Sequence, residues 1–371
     1  MALFTKFASN IEAMKSKLTV LYFSIWLGGT FWSVSGQFID AETAPKWYFA
    51  LFGGTFLCWM YGMSHFRSIP TTKKPHFTGI FLSISLCATA LAFHGLLQWS
   101  GLWTPQPMFP VCGNFDNPAG IASALAFSLP FSLHYTQSTC TPFRYTALAS
   151  TLFIACAIIA SESRAGILSM GCIFLLYFPM KWPKIGKALT FGFVMLFTAS
   201  SVFLYHYKKD SADGRLLIWQ CTWNMIKERP LYGYGYGGFQ ANYMDEQAQF
   251  FRTHPNSRYA QLADDVKSPF NEYLGVLTEF GFIGGTAMLL CAVVLFRMWR
   301  KHPGGSSRPA LLCLTAIAVF SLFSYPFRYP HTWILCMGST LVLVLNGHPA
   351  LRQTTGCLSF VTALKVMISY S

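Results

Sequence analysis

Charge is what this chain most lacks. Only 11% of its 371 residues are charged and just 14 are acidic, where soluble domains usually carry about 25% charged residues. So little charge cannot cover a water-soluble globule. Acidic side chains are too sparse for a metal cluster outside Asp264-Asp265, and no CxxC pair occurs among the eleven cysteines. Neither a metal nor another cofactor is therefore expected. Most of the cysteines (Cys58, Cys87, Cys156, Cys172, Cys291, Cys313, Cys336) lie in apolar stretches, where cysteine behaves as a small hydrophobe. Cys112 and Cys221 fall on one side of the expected topology and could pair. The sequence also lacks internal repeats, low-complexity tracts and the polar–apolar alternation of a membrane barrel.

What is present is hydrophobic residue, 53% of the chain, gathered in blocks with short polar breaks. About 20 apolar residues span a bilayer as a helix, and a helix satisfies its own backbone where no water can. The expected fold is all-α: a polytopic membrane helical bundle, one domain over 1–371. Its spans fall near 18–36, 46–64, 77–99, 118–134, 145–161, 165–180, 186–205, 273–296, 309–326 and 332–346. Cys357–Tyr370 is short and holds Lys365, so it reads as an interfacial or tucked-in helix and not an eleventh span. The first span lacks a small-residue cleavage pattern and reads as an anchor.

A net charge of +13 would suggest nucleic acid on a soluble protein. Here topology accounts for it, and no nucleic-acid partner is expected. With the amino terminus in the cytoplasm, the inner segments hold most of the Lys and Arg outside one long loop, and the short outer segments hold only Lys46, Arg164 and Arg328. That asymmetry orients the bundle, placing the large loop, 206–268, outside with amphipathic helices. The spans are nearly free of ionisable residues, Glu279 and His94 excepted. A proton-coupled transporter should show several at mid-depth, so the functional surface is expected at the outer face.

Four segments concentrate polar residues there. Gly113–Gly120 holds an Asn-Pro turn in which Asp116 or Asn117 can cap the next helix, and a helix-opening turn explains it. Ser161–Gly166 holds Arg164, whose guanidinium fork suits phosphate oxygens but equally suits lipid headgroups or Glu162. Residues 215–228 read as an amphipathic helix opened by Asp213, with Leu216, Trp219, Trp223 and Ile226 at helical spacing and an orientation along the membrane surface. The glycine-tyrosine run Arg229–Phe239 that ends it suits sugar stacking or an aromatic-belt loop. With no strand before Gly233, it is no dinucleotide fingerprint. In the fourth segment Asn271 and Glu272 open a span, and Gly281, Gly284 and Gly285 permit close helix packing.

These four segments, in this order over residues 110–330 and together with Ser324-Tyr325-Pro326-Phe327, resemble the O-antigen ligase family and its wider superfamily of oligosaccharide polymerases and protein O-oligosaccharyltransferases. The resemblance implies a metal-independent, inverting glycosyltransferase in the bacterial inner (cytoplasmic) membrane. It would move a glycan from a polyprenyl pyrophosphate carrier to a glycan, lipid A core or protein acceptor at the outer face. Arg164 and Arg215 match the arginines thought to hold the pyrophosphate, and Asn271 and Trp219 fall at supporting positions. The ligases carry a histidine, proposed as the base, where this chain has Phe270. Glu272 and His254 are the nearby candidates for the base; a carboxyl in a partly buried mouth moves toward the range a base needs. The resemblance leaves ligase and polymerase both open, and a lipid-linked glycan or solute transporter is the alternative without chemistry.

Overall fold

The computed structural model describes residues 18–347 except 19, 66–76, 104–108 and most of 182–208. The expected span at 186–205 falls almost wholly, and Cys357–Tyr370 wholly, outside the described residues. Those residues form eleven α-helices and no β-strand: α1 (Val20–Trp32), α2 (Ala44–His65), α3 (Thr78–Trp99), α4 (Pro118–Tyr135), α5 (Thr141–Ala160), α6 (Arg164–Lys181), α7 (Lys209–Glu228), α8 (Gly238–Thr253), α9 (Glu272–Lys301), α10 (Ser307–Ser321) and α11 (Pro330–Gly347). Every other expected span coincides with a helix. Of these, α3, α5 and α9 are both long and apolar enough to cross a membrane, while α1, α6 and α10 are shorter apolar helices. Only 6% of the apolar window of α9 is buried. A helix so hydrophobic and so uncovered needs an apolar medium around it.

Backbone packing divides the chain into two units, residues 1–163 with 297–314 and 329–371, and residues 164–296 with 315–328. In the first, α3, α4 and α5 pack on one another and α11 packs on α4 and α2. Pro118 stands at the first turn of α4, and Asn117 Oδ1 accepts from Ala119 N–H at 2.8 Å. Of the two capping candidates, Asn117 is thus the cap, and Asp116 instead accepts from Tyr329 Oη at 2.6 Å. The turn before α4 is latched from two sides. Gln98 Oε1 accepts from Gly113 N–H at 2.8 Å while its Nε2 donates to Gly113 O at 3.1 Å. Lys46, fully buried, donates to the carbonyls of Ser33 (3.0 Å), Asn114 (2.6 Å) and Glu42. The charge pattern counted Lys46 among outer-face cations. Within its segment it is an internal pin whose ammonium bonds three backbone carbonyls, since a buried charge needs a full set of partners.

Cys112 and Cys221 are each buried, and neither stands in a disulfide among the described residues. Burial of both thiols in apolar surroundings is the alternative that cysteine's hydrophobic character allows.

Candidate functional site

The second unit carries Arg164, Arg215, Trp219, His254, Asn271 and Glu272. Its outer-loop helices α7 and α8 pack through Leu217, Ile218, Cys221 and Met225 on one and Phe239 and Tyr243 on the other. This buried stripe meets the expected one in part: Ile226 is buried and Trp219 packs on the stripe, whereas Leu216 is 37% and Trp223 45% exposed. The 217/218/221/225 spacing is the one that closes on α8. The helix also begins at Lys209, not at Arg215. Asp213 lies within it and is buried, so tertiary packing overrides the capping preference of aspartate.

The Gly-Tyr run after α7 serves a purpose that its composition did not show. Helix α9 breaks at Gly281, whose backbone (φ 61°, ψ −162°) is non-helical and lies in a region essentially reserved for glycine. A break frees carbonyls on one side and N–H groups on the other, and residues 230–237 satisfy both. Thr278 O and Glu279 O accept from Tyr234 and Gly235 N–H at 2.9 and 2.8 Å, and Phe282 N–H donates to Pro230 O at 2.8 Å. The Glu279 carboxylate accepts from Gly237 N–H at 2.9 Å. Glu279, which read as an intramembrane charge, is therefore tied to this loop. A methyl at Gly281 would overlap Leu231 O, and one at Gly233 would overlap Thr278 O. Gly281 and Gly233 thus let two backbones touch, in place of the helix–helix packing expected of Gly281.

Arg215 sits one turn into the described part of α7, half-buried. Its Nη1 donates to Phe323 O at 2.8 Å, and its guanidinium lies 5.2 Å from the Phe270 ring centroid. Burial, and then the positive charge of Arg164, lower its pKa to about 10. It is still cationic at neutral pH, and the two guanidinium charges are close enough to repel. Arg164 begins α6 and is half-buried. Two like charges held near each other are a cost that a bound anion removes.

Phe270 stands where the resemblance places a histidine. It is half-buried and its φ of 52° is positive, an outlier for a bulky residue and the kind of strain that collects at functional positions. Trp219 Nε1 donates to Pro269 O at 2.9 Å, and Asn271 Oδ1 accepts from Tyr273 and Leu274 N–H at 3.0 and 3.1 Å. One anchors the residue before Phe270, and the other caps α9 just after it. Glu272 Oε1 accepts from Phe327 N–H at 3.1 Å, and Oε2 makes no hydrogen bond among the described residues.

A single short segment joins these groups. Helix α10 ends at Ser321, five residues short of the expected end at 326. Pro326 keeps the residue before it out of the helical region. The released chain meets Arg215 through Phe323 O, Phe270 through the Tyr325 ring (5.2 Å between centroids) and Glu272 through Phe327 N–H. Pro326 was the sequence signal for this segment; its contacts were not legible.

His254 stands elsewhere. It ends α8, exposed, stacked on Phe250 at 4.7 Å with Nδ1 turned to Phe250 O and Thr253 Oγ1. It lines a cleft between α7 and α8 whose walls include none of Arg164, Arg215, Asn271 or Glu272.

Long apolar helices with exposed faces mark an integral membrane protein. Residues 149–289 match the family model described as O-Antigen ligase. The family points to O-antigen ligase or related polymerase activity. Arg164, Arg215, Phe270 and Glu272 lie inside the matched stretch, and Tyr325 lies beyond it. No curated protein matches the chain.

Proposed function

We propose that the protein is a metal-independent glycosyltransferase at the outer face of the bacterial inner membrane. It would carry a glycan from a polyprenyl pyrophosphate to an acceptor hydroxyl of a lipid A core sugar or a protein. The observation that carries this reading is the proximity of Arg164 and Arg215 in the half-buried patch beside Phe270 and Tyr325. The acceptor oxygen attacks the anomeric carbon, and the bond from that carbon to the carrier phosphate breaks with its electron pair leaving on the pyrophosphate. The hydroxyl proton passes to Glu272 Oε2, the oxygen not held by Phe327. Cations fixed before the reaction stabilise charge as it develops on the leaving group without reorganising. Phe270 cannot accept a proton, and Glu272, two residues on, is the carboxylate tied to the same segment as Arg215.

The test is transfer itself: purified protein, lipid-linked glycan and acceptor are incubated and the product is resolved. Product on lipid A core or protein identifies a ligase, and a lengthened carrier-linked chain identifies a polymerase. A purified protein that makes no covalent product, while still moving lipid-linked glycan across vesicles, is a transporter and ends this reading.

Two further outcomes are expected. In a pH–rate profile Glu272→Gln, which keeps size but cannot take a proton at working pH, lowers transfer by about 10²–10⁴-fold, and His254→Asn leaves the profile intact. Parent-like turnover in Glu272→Gln would make the carboxylate structural. For topology, Ser257→Cys is expected to label with an impermeant thiol reagent added from outside, and Thr72→Cys, which lies outside the described residues, is not. Cys112 and Cys221 are buried and need no removal for this experiment. Reversed labelling would overturn the orientation.

A further inference from the structure

The geometry points to a second binding site, for neutral sugar residues, in the cleft between α7 and α8. The cleft encloses about 890 Å³, within the usual range for small-ligand sites. Four carboxamides line it, Gln220 and Asn224 from α7, Gln249 from α8 and Asn256 beyond it, along with Trp223 and His254. None of the four carboxamide side chains makes a hydrogen bond among the described residues. Each offers both donors and acceptors, the combination that matches hydroxyl groups, which also donate and accept.

The other wall features narrow the ligand class. Trp223 is 45% exposed on α7, leaving an aromatic surface for the apolar C–H face of a pyranose ring. Lys227 and Glu246 are the charged side chains of the lining, one of each sign, so the cleft has no bias toward an anion such as pyrophosphate. It is too polar for a lipid chain. Its floor is also fixed in advance: Phe250 and Tyr259 pack on the Leu217–Tyr243 core, and His254 is held by stacking on Phe250 with Nδ1 already bonded. A pre-formed wall loses little entropy on binding.

Position along α7 sets what such a site can do. Trp223 follows Arg215 by eight residues, roughly 12 Å along a helix. Sugars held there are remote from the reacting bond, so their binding is shared by ground and transition states. It tightens capture of substrate and leaves the chemical step alone. This role rests on the transferase reading, but the binding site itself does not.

The probe is a neutral oligosaccharide released by mild acid from the host's lipid-linked glycan, free of lipid and pyrophosphate. It is titrated against the full-length protein in nanodiscs and followed by saturation-transfer NMR. Binding is expected in the parent and in Arg215→Ala. It should weaken about tenfold in Trp223→Ala and measurably in Asn256→Ala, both exposed positions whose truncation leaves the core intact. In transfer assays Trp223→Ala should raise KM about tenfold with kcat unchanged. A rise in KM for the donor assigns the cleft to the carrier-linked glycan, and a rise in KM for the acceptor assigns it to the acceptor. If the oligosaccharide binds in this pattern while no transfer occurs, the cleft stands and the transferase reading falls. If it does not bind the parent, or binds both variants as well as the parent, the cleft is not a sugar site.

Discussion

Replacing Arg215 with alanine is expected to reduce glycan transfer by about 10²–10³-fold, the usual cost of removing one preorganised donor from a developing anion. Two effects act together. In the proposed site the pyrophosphate would lose one of its two fixed cations, and Phe323 O loses the donor that holds it at 2.8 Å. The second effect is structural, so the amount of folded protein in the membrane must be measured beside the rate. Arg215→Lys separates the two contributions. Lysine keeps the charge and can still reach a carbonyl, but it loses the planar fork. It should restore folding fully and transfer only in part. Arg164→Ala is expected to lose transfer as well, and because it removes the neighbouring charge it should raise the pKa of Arg215 toward the ordinary arginine value. If Arg215→Ala turns over at a near-normal rate with normal folding, the arginine pair does not hold the leaving group.

The largest effect on folding is expected at Gly281. Alanine there meets two penalties. The backbone region at φ 61°, ψ −162° costs a residue with a Cβ about 1–3 kcal/mol. The methyl overlaps Leu231 O, a backbone atom that can move only by giving up the hydrogen bonds of the 230–237 loop, a further ~1–3 kcal/mol by analogy with overpacking. The total is a large share of the ~5–15 kcal/mol of a typical fold. Membrane levels of Gly281→Ala should collapse, and thermal unfolding of whatever remains should shift down markedly. Gly275→Ala on the same helix is the control. A Cβ there meets only Pro269 at 3.6 Å, an ordinary contact, and no loss is expected. Equal stability of the two variants would mean that the break in α9 is incidental.

Much of this architecture was legible in the chain. Apolar blocks marked where helices form, and Asn117 and Asn271 announced two helix starts because a short polar side chain before an apolar run caps N–H groups locally. Features set by distant partners were not legible. Glycine at 281 suits helix packing and helix breaking alike, and the choice between them was made by carbonyls 50 residues earlier, at Pro230 and Leu231. The inward face of α7 was legible only in part: Trp219 packs on the core and Ile226 is buried, while Leu216 and Trp223 face out. The burial of Lys46 was not legible either, because sequence does not show which carbonyls will gather around an ammonium. The pairing of Arg164 with Arg215 came from family resemblance, not from spacing, since 51 residues separate them.

The segment from Phe323 to Phe327 constrains change in an unusual way. It meets Arg215 with a carbonyl and Glu272 with an N–H, and only the middle contact, Tyr325 on Phe270, involves one of its side chains. Side-chain replacements at 323 and 327 therefore leave the two outer contacts in place. Removing or adding one residue shifts the spacing of all three at once, uncoupling the cation that would hold the leaving group from the carboxylate that would take the proton. Alanine at 323 or 327 leaves both outer contacts in place, whereas the length of the segment governs whether the two halves of the site stay in register.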